Sequence, residues 1–324
     1  MILVSKKLDH FIDSRQLDKE LILSLFEKAK KLKESTTFPQ TLKGKILTTL
    51  FYEPSTRTRM SFEAAMIRLG GQVISTENAK EFSSAIKGES LEDTIRIVEK
   101  YCDCVVMRHY EEGAAQRAAD VTTRPIINAG DGKGQHPTQA LLDAYTIYDE
   151  IGRLDNITVA FVGDLANGRT TRSLAYLLGK FSGVKVIFVS PENLQIRDDI
   201  KENLKKHGVE FKEETDLTKV LPVADIIYMT RIQKERMPEE DYLKAKGKYA
   251  ITEENLALVR PCARIMHPLP HVEEISLRIG TETTDKRVAY FRQAENGLYV
   301  RMALLEYLLK SRITKQSDPE QELL

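Results

Sequence analysis

Strand-like and helix-like segments alternate along the chain. Seven short runs rich in β-branched and other apolar residues are predicted strands: 45–52, 103–107, 157–162, 184–189, 208–212, 225–229 and 263–266. Between and after them, apolar residues recur at the spacing of amphipathic helices in 61–69, 90–100, 137–151, 171–180, 192–206 and 293–309. This alternation predicts an α/β protein with two doubly wound parallel-sheet domains, the second sheet beginning after the turn-like stretch 152–156.

The composition agrees with a globular protein of this size. The chain has 324 residues, 42% of them apolar, and its 48 Lys and Arg balance 48 Asp and Glu. Because the charges balance, no overall field favours nucleic acid, and any attraction for anions must be local. The three cysteines have no zinc-ligand spacing, so we expect no structural zinc. We also expect no other metal and no cofactor.

We expect a cytoplasmic protein, or a plastid one if a transit peptide has been removed. The first residues lack the apolar core of a signal peptide. No apolar run approaches the roughly 20 residues that span a bilayer.

Segment 53–59, Glu-Pro-Ser-Thr-Arg-Thr-Arg, lies between a predicted strand and a predicted helix. The apolar positions of helix 61–69 and the glycines that follow it place the hydroxyls at the helix start. Helix N-termini offer unpaired N–H groups and partial positive charge, so Ser55, Thr56, Arg57 and Thr58 are predicted to bind a phosphate. The alternative is ordinary capping hydroxyls beside a solvated arginine.

Five loops carry cationic or imidazole side chains: Arg57, Arg108, His136, Arg169 and Arg231. Four of them follow predicted strands, and the loop with His136 follows the apolar run Ile126-Ile127-Asn128. In doubly wound sheets, ligands bind beyond the carboxyl ends of the strands. The same placement in both predicted sheets suggests a site for more than one anionic group. For His136 the alternative is a hydrogen-bonded histidine of the core.

A nucleotide ligand is disfavoured. Stretch 163–170 has the glycine spacing of a phosphate loop, but Arg169 replaces the required lysine. Such a loop also needs an acidic residue at the end of another strand to hold magnesium, whereas strand 225–229 leads into Thr230 and Arg231. The stretch does not supply the GxGxxG of a dinucleotide fold either.

Several segments together resemble the catalytic chain of the aspartate carbamoyltransferase family, within the aspartate/ornithine carbamoyltransferase superfamily. They are Ser-Thr-Arg-Thr-Arg at 55–59, Met-Arg-His at 107–109, His-Pro-Thr-Gln at 136–139, Thr-Arg-Ile-Gln-Lys-Glu-Arg at 230–236, His-Pro-Leu-Pro at 267–270 and Gln-Ala-Glu-Asn-Gly-Leu at 293–298. The resemblance runs from about residue 8 to 310. The ornithine enzymes carry His-Pro-Cys-Gln and His-Cys-Leu-Pro, whereas this chain has Thr138 and Pro268, so the second substrate is expected to be aspartate.

The resemblance implies two substrate domains. One is a carbamoyl-phosphate-binding domain of 1–138 plus 292–324, to which the C-terminal helix returns, and the other is an aspartate-binding domain of 139–291. The implied reaction transfers the carbamoyl group of carbamoyl phosphate to the α-amine of L-aspartate. The products are N-carbamoyl-L-aspartate and phosphate, in de novo pyrimidine biosynthesis. The alternative is a non-catalytic homologue serving as an assembly or ligand-binding subunit, which only His271, at a position where the family usually has arginine, favours.

The resemblance also implies residue roles. The phosphate is held by Ser55, Thr56, Arg57, Thr58 and Arg108. The carbonyl oxygen faces Thr58, Arg108 and His136, the last as a neutral donor, while the amino group is held by Gln139 and the carbonyls of Leu269 and Pro270, which a cis peptide joins. The aspartate carboxylates are bound by Arg169 and Arg231, assisted by Gln233.

The loop 77–89 lacks clean periodicity and alone would be a mobile surface loop. In the resembled family this loop reaches the active site of a neighbouring chain, where the residues matching Ser83 and Lys87 bind both substrates. A homotrimer with shared sites is therefore expected, and a regulatory chain is a further partner compatible with the family. Ile86 occupies a position where some members have a second lysine.

Overall fold

The computed structural model describes residues 8–82, 84–232, 239–240 and 247–316. The chain forms two compact units, unit 1 with Met1–Leu142 and Asn296–Leu324, and unit 2 with Asp143–Glu295. Each unit contains a parallel β-sheet with helices, which confirms the predicted fold class. The assignment of 1–138 plus 292–324 and of 139–291 to two different substrates stays a prediction, because compactness does not test what a unit binds.

The sheet of unit 1 has the order β2-β1-β3-β4, and all its described strand pairs are parallel. The strands are β1 Ile46–Phe51, β2 Gln72–Glu77, β3 Cys104–His109 and β4 Ile126–Asp131. The central strands β1 and β3 are buried along nearly their whole length, as their continuous apolar runs predict. Because the strands are parallel, the residues that follow them lie at one edge of the sheet.

The described α-helices that lie wholly in unit 1 are α1 Lys19–Glu34, α2 Thr56–Arg68, α3 Ala79–Phe82, α4 Leu91–Val98 and α5 Ala114–Asp120. Asp18 caps α1 by accepting from the N–H of Leu21, and Ser90 caps α4 in the same way. Gly70 ends α2 with φ +86°, as the glycine pair in the sequence predicts. Helix α2 begins at Thr56 rather than near 61, so the hydroxyls and Arg57 lie inside its first turn.

Two long helices pass from one unit to the other along the sequence: α6 Pro137–Ile151 and the C-terminal helix Tyr290–Gln316. The C-terminal helix ends in unit 1, as predicted, where Glu306 pairs with Lys28 of α1 at 2.8 Å. Lys33 of α1 also donates to Asn296 at 2.9 Å. The C-terminal helix also contributes the buried side chains of Leu305 and Leu308 to the core. Unit 1 is therefore built from both ends of the chain.

The larger sheet of unit 2 has the order β10-β8-β5-β6-β7 and is parallel throughout. Its strands are β5 Thr158–Val162, β6 Lys185–Val189, β7 Glu210–Glu214, β8 Ile226–Met229 and β10 Arg264–Met266. A separate pair joins β9 Ile251–Thr252 to β11 Ile275–Ser276. The helices are α7 Arg169–Leu178, α8 Asp198–Lys206 and two single turns, Glu253–Leu256 and Thr281–Thr284. Residues of β5, β6 and β8 form the centre of the core.

Several boundaries differ from the predicted ones. Segment 192–206 is not one helix but a 3₁₀ turn, Glu192–Leu194, followed by α8. The carbonyl of Leu194 accepts the N–H groups of Leu165 and Ala166, so it is used by a neighbouring loop instead of a continuing helix. Strand β7 begins at 210 rather than 208, because Gly208, with φ +68°, first ends α8.

Candidate functional site

The first turn of α2 presents the predicted phosphate-binding residues. Ser55 is the N-cap residue with extended backbone, yet its side chain makes no capping hydrogen bond within the described part of the chain. Thr58 is buried and Arg57 is exposed. The first N–H groups of a helix have no acceptor within the helix, so the start of α2, with these side chains beside it, suits an anion.

Arg108 reaches this turn from the neighbouring strand. It pairs in register with Phe51, the last residue of β1, and its Nη1 donates to Ser55 Oγ at 3.2 Å. Its Nε donates to Glu53 at 3.3 Å. Burial lowers the pKa of Arg108, Glu53 partly offsets this, and the charge of Arg57 lowers it further. Two guanidinium groups thus repel each other beside one carboxylate, and an anion placed with them would relieve the repulsion.

The two arginines of segment 53–59 have different surroundings. Arg59 is held by Glu63 at 3.3 Å and Glu77 at 2.8 Å, and it also donates to Ser75. Although Arg57 is exposed, partial desolvation of its guanidinium lowers its pKa, and no carboxylate among the described residues offsets that effect. Arg59 therefore ties α2 to the edge strand β2, while Arg57 is the arginine suited to a ligand.

His136 follows β4 and directly precedes α6. It is buried, and its carbonyl accepts the N–H of Gln139, also buried, in the first turn of that helix. Its Nδ1 lies 3.4 Å from Thr138 Oγ1. The preceding loop is held by Asp131, which accepts from the backbone N–H groups of Gln135 at 2.8 Å and Gly113 at 2.9 Å. Since β4 is parallel to β3, the loop that carries His136 begins at the same edge of the sheet as Arg108.

The residues expected to act on a neighbouring chain are only partly described. Lys87 is exposed at the end of the 3₁₀ helix Ser84–Lys87. Ser83 lies outside the described residues. The structure therefore places Lys87 on the surface of unit 1 and leaves its predicted role as a prediction.

In unit 2, Arg169 and Arg231 follow adjacent strands. Arg169 is the first residue of α7, after β5, and Arg231 comes two residues after β8, which pairs with β5. Thr230 donates to the Val162 carbonyl through its N–H and its hydroxyl, both at 2.8 Å. Both arginines are half-buried. Gln233, the third predicted aspartate ligand, lies outside the described residues.

Gly163 allows these two segments to approach each other. It has φ +118°, and a Cβ on it would lie 2.2 Å from the Thr230 carbonyl oxygen. Only glycine fits this backbone and this space. The glycine therefore sets the position of the chain just before Arg231.

The His-Pro-Leu-Pro segment follows β10, the next strand of the same sheet. The Leu269–Pro270 peptide is cis, as the resemblance implies, and Leu269 has φ +58°. His267 is buried, and its Nδ1 accepts the Leu269 N–H at 2.7 Å. An L residue rarely adopts this positive φ, so the hydrogen bond to His267 helps to hold it.

Sequence reasoning missed the buried polar residues behind these loops. In unit 2, Asp143 accepts from Tyr228 and from Gln293, both at 2.6 Å, and Glu274 lies 2.8 Å from His267. In unit 1 it missed Glu53 beside Arg108. Gln293 begins one of the resembling segments, which was the one signal available for this group.

Two family comparisons match nearly the whole described fold. Residues 9–149 match the aspartate/ornithine carbamoyltransferase carbamoyl-P binding domain, and residues 155–308 match the Asp/Orn binding domain of the same enzymes. The chain belongs to the aspartate/ornithine carbamoyltransferase family. Arg57 and Arg108 therefore lie in the first matched domain, and Arg169 and Arg231 lie in the second.

Individual members of this carbamoyltransferase family are similar along almost the full chain. The chloroplastic aspartate carbamoyltransferase of Arabidopsis thaliana is 56% identical over 308 residues, which cover 94% of this chain and 78% of the relative. The aspartate carbamoyltransferase catalytic subunit of Methanocaldococcus jannaschii is 48% identical, covering 93% and 98%. The predicted membership among the aspartate carbamoyltransferases is confirmed.

Solved structures of aspartate carbamoyltransferases have the same fold as this chain. The M. jannaschii catalytic subunit aligns with a TM-score of 0.87 at 47% identity, covering 94% of this chain and 99% of that one. Aspartate transcarbamoylase from Trypanosoma cruzi, in complex with carbamoyl aspartate and phosphate, aligns with a TM-score of 0.88 at 39% identity, covering 95% and 98%.

Among the residues described in this carbamoyltransferase, no group of three or more His, Cys, Asp or Glu side chains could hold a metal ion. None of its described helices is long and apolar enough to cross a membrane.

Proposed function

We infer that this chain is an enzyme that transfers the carbamoyl group of carbamoyl phosphate to the α-amine of L-aspartate, releasing N-carbamoyl-L-aspartate and phosphate. This proposal rests on two groups of arginines, each at the carboxyl ends of adjacent strands of a parallel sheet. In unit 1, Arg57 follows β1 and Arg108 lies at the end of β3, and in unit 2, Arg169 follows β5 and Arg231 follows β8. One pair suits a phosphate and the other suits the carboxylates of aspartate. The step belongs to de novo pyrimidine biosynthesis.

The phosphate group is bound at the start of α2. Ser55, Thr56 and Thr58 supply hydroxyls, the helix supplies N–H groups, and Arg57 and Arg108 supply charge. The helix dipole favours the same sign of ligand charge. Arg108 donates to Ser55, so this arginine points toward the hydroxyls of the turn.

Hydrogen-bond donors of the protein orient the carbonyl oxygen of the carbamoyl group, and hydrogen-bond acceptors orient its amino group. Its carbonyl oxygen accepts from Thr58, Arg108 and His136, with His136 in the neutral form. Its amino group donates to Gln139 and to the Leu269 and Pro270 carbonyls. Attack by the neutral amine of aspartate turns the carbonyl oxygen into an oxyanion, and the same donors then bind it more tightly, which lowers the barrier. Losing one such donor costs about 3 to 4 kcal/mol of transition-state stabilisation.

Arg169 and Arg231 bind the aspartate carboxylates, assisted by Gln233. Holding two anions together removes much of the entropic cost of a reaction between separate molecules. The tetrahedral intermediate collapses with loss of phosphate, which accepts the proton of the amine. No serine or cysteine nucleophile and no cofactor enters this scheme.

The working unit is a homotrimer in which Ser83 and Lys87 of one chain complete the site of the next. The exposure of Lys87 in the single chain supports this proposal. We place the protein in the cytoplasm or, if a transit peptide has been removed, in the plastid, the compartment named for the Arabidopsis relative. A regulatory chain is a further candidate partner.

A carbamoylaspartate formation assay on the full chain tests the reaction. Product is expected with carbamoyl phosphate and aspartate together and with neither alone. Absence of product at saturating substrates would favour the alternative, a non-catalytic assembly or ligand-binding subunit. The only residue that favours this alternative is His271, which packs its ring at 5.1 Å from that of Tyr290.

Mixing two inactive variants tests the shared site. Lys87→Ala damages only the contributed loop, and Arg57→Ala damages only the phosphate site of its own chain. Mixed trimers should recover activity at the sites that combine an intact loop with an intact phosphate site. Recovery no greater than that of the separate variants would contradict the interchain role of Lys87.

A further inference from the structure

Buried polar side chains of unit 2 form a continuous hydrogen-bonded chain that ends at the loop carrying Leu269. Tyr228 donates to one oxygen of Asp143, and Gln293 Nε2 donates to the other, each at a distance of 2.6 Å. Gln293 Oε1 in turn accepts the backbone N–H of His267 at 2.8 Å. The start of the loop is thereby fixed to a network whose members are fully or almost fully buried.

The ring of His267 continues this chain in both directions. Nδ1 accepts the Leu269 N–H at 2.7 Å, so Nδ1 carries no proton and the neutral ring holds its proton on Nε2. Nε2 donates to Glu274 Oε1 at 2.8 Å. The carboxylate thus selects the one tautomer and the one ring orientation in which Nδ1 can hold the Leu269 N–H.

Glu274 also holds the far end of the loop. The same Oε1 accepts the Val272 N–H at 3.2 Å, so one carboxylate oxygen closes segment 267–272 at both ends. Burial raises the pKa of Glu274, but the hydrogen bond from His267, together with the backbone N–H groups of Glu274 and Val272, outweighs it and brings the pKa below its usual value. The acceptor therefore stays ionised at neutral pH.

We propose that Glu274 is a positioning residue that, through His267 and Val272, aims the Leu269 and Pro270 carbonyls and so selects the amino group of carbamoyl phosphate. This rests on the proposed function, in which those two carbonyls accept from that amino group. Glu274 itself touches neither substrate. Its effect should therefore fall on the discrimination between acyl groups and not on the binding of the phosphate.

Acetyl phosphate provides the probe, because it keeps the phosphate and the carbonyl but replaces the amino group by a methyl group. Dissociation constants for carbamoyl phosphate and acetyl phosphate are measured on the full chain. The wild type should prefer carbamoyl phosphate. Glu274→Ala should reduce that preference about five- to tenfold, the share of one or two hydrogen bonds, with acetyl phosphate affinity nearly unchanged. Glu274→Gln keeps an acceptor oxygen at the same reach and should restore the preference.

Glu150→Ala is the matched control. Glu150 is another largely buried carboxylate of unit 2, bonded to Arg264 and Arg292 and to no residue of the loop 267–272 among its described contacts. It should lower the melting temperature without changing the preference. If Glu274→Ala does not fold, Glu274→Asp takes its place, since its shorter carboxylate keeps the charge but cannot reach both donors.

The outcomes separate the two levels of the proposal. A wild type without any preference overturns the assignment of the Leu269 and Pro270 carbonyls, and this inference with it. A preference that survives in Glu274→Ala, or in Glu274→Asp where that variant is needed, overturns only the positioning role. An equal loss in Glu150→Ala also overturns it, because general loosening of unit 2 would then explain the effect.

Discussion

Arg108 donates a hydrogen bond to the Ser55 hydroxyl at 3.2 Å although 53 positions separate them in the sequence. The parallel pairing of β1 with β3 produces this contact, since it aligns Phe51 with Arg108. The guanidinium of Arg108 on β3 thus lies at the start of α2, the helix that follows β1. Because this contact places Arg108 at the proposed phosphate site, loss of its side chain should impair catalysis.

Arg108→Ala should lower kcat/KM for carbamoyl phosphate about a hundred- to a thousandfold, because the proposed role spans both the phosphate and the oxyanion. Steady-state kinetics at saturating aspartate measure this. Arg117→Ala is the control, since Arg117 pairs with Glu92 and Glu111 on the surface and is 47% exposed, and it should behave like the wild type. An Arg108→Ala enzyme with more than a tenth of wild-type efficiency would contradict the assignment.

Arg231→Ala should raise KM for aspartate about ten- to a hundredfold, the contribution of a hydrogen bond between charged groups. Phosphate binding should be unchanged, because Arg231 belongs to unit 2 and the helix start to unit 1. Kinetics and inorganic phosphate titration separate the two effects. Arg260→Ala, which removes an ion-pair partner of Asp225 in the same unit, should leave the aspartate KM unaltered. A parallel rise in both variants would argue against a specific site.

The ion triad of Glu150 with Arg264 and Arg292 should make stability depend on acid pH. Burial raises the pKa of Glu150, but hydrogen bonds from Arg292 and Arg264 outweigh it, so the folded-state pKa is depressed. Its contribution is therefore present above the unfolded-state pKa and is lost as the pH falls through the folded-state pKa. Glu150→Gln should cost about 2 to 3 kcal/mol at pH 7, less than a fully dry pair because Arg292 is partly exposed.

Thermal unfolding of the wild type and Glu150→Gln between pH 7 and pH 3 measures this effect. The difference in melting temperature should shrink as the pH falls below about 4.5, where the unfolded carboxyl group titrates. A difference that stays constant down to pH 3 would mean that the charge of Glu150 contributes nothing.

Gly163→Ala should be more damaging than Gly152→Ala. Both glycines have positive φ, +118° and +77°, so each substitution carries a backbone cost of about 1 to 3 kcal/mol. Only at Gly163 would the new Cβ also meet backbone, the Thr230 carbonyl at 2.2 Å, whereas Gly152 has open space. Because Thr230 precedes Arg231, Gly163→Ala should also raise KM for aspartate. Equal stability and equal KM in the two variants would refute the close approach.

The sequence predicted those parts of the fold whose burial is continuous. Strands β1, β3 and β5 are buried along nearly their whole length and are mostly apolar, as is usual in parallel sheets, and this pattern is local. Strand β2 was not predicted, since its residues are mostly exposed or half-buried and follow no apolar alternation. Helix α1 was also missed, although Asp18 and the buried Leu21, Leu25 and Phe26 carry a readable signal.

The candidate site divides in the same way. Loops after strands could be found from the sequence because parallel sheets bring such loops to one edge. The bond between Gln293 and Asp143 could not, because 150 positions separate the two residues and neither has an unusual neighbour in the sequence. The different surroundings of Arg57 and Arg59 likewise depend on the placement of Glu63 and Glu77.

The division of unit 1 between the two ends of the chain has a consequence for synthesis on the ribosome. Unit 2 is one uninterrupted stretch, Asp143–Glu295, so it can close its core before the following residues are synthesised. Unit 1 cannot, because the C-terminal helix that supplies Glu306, Leu305 and Leu308 is synthesised after unit 2. The first 142 residues must therefore wait for the final helix, and a nascent chain stalled before residue 296 would expose an unfinished core to chaperones.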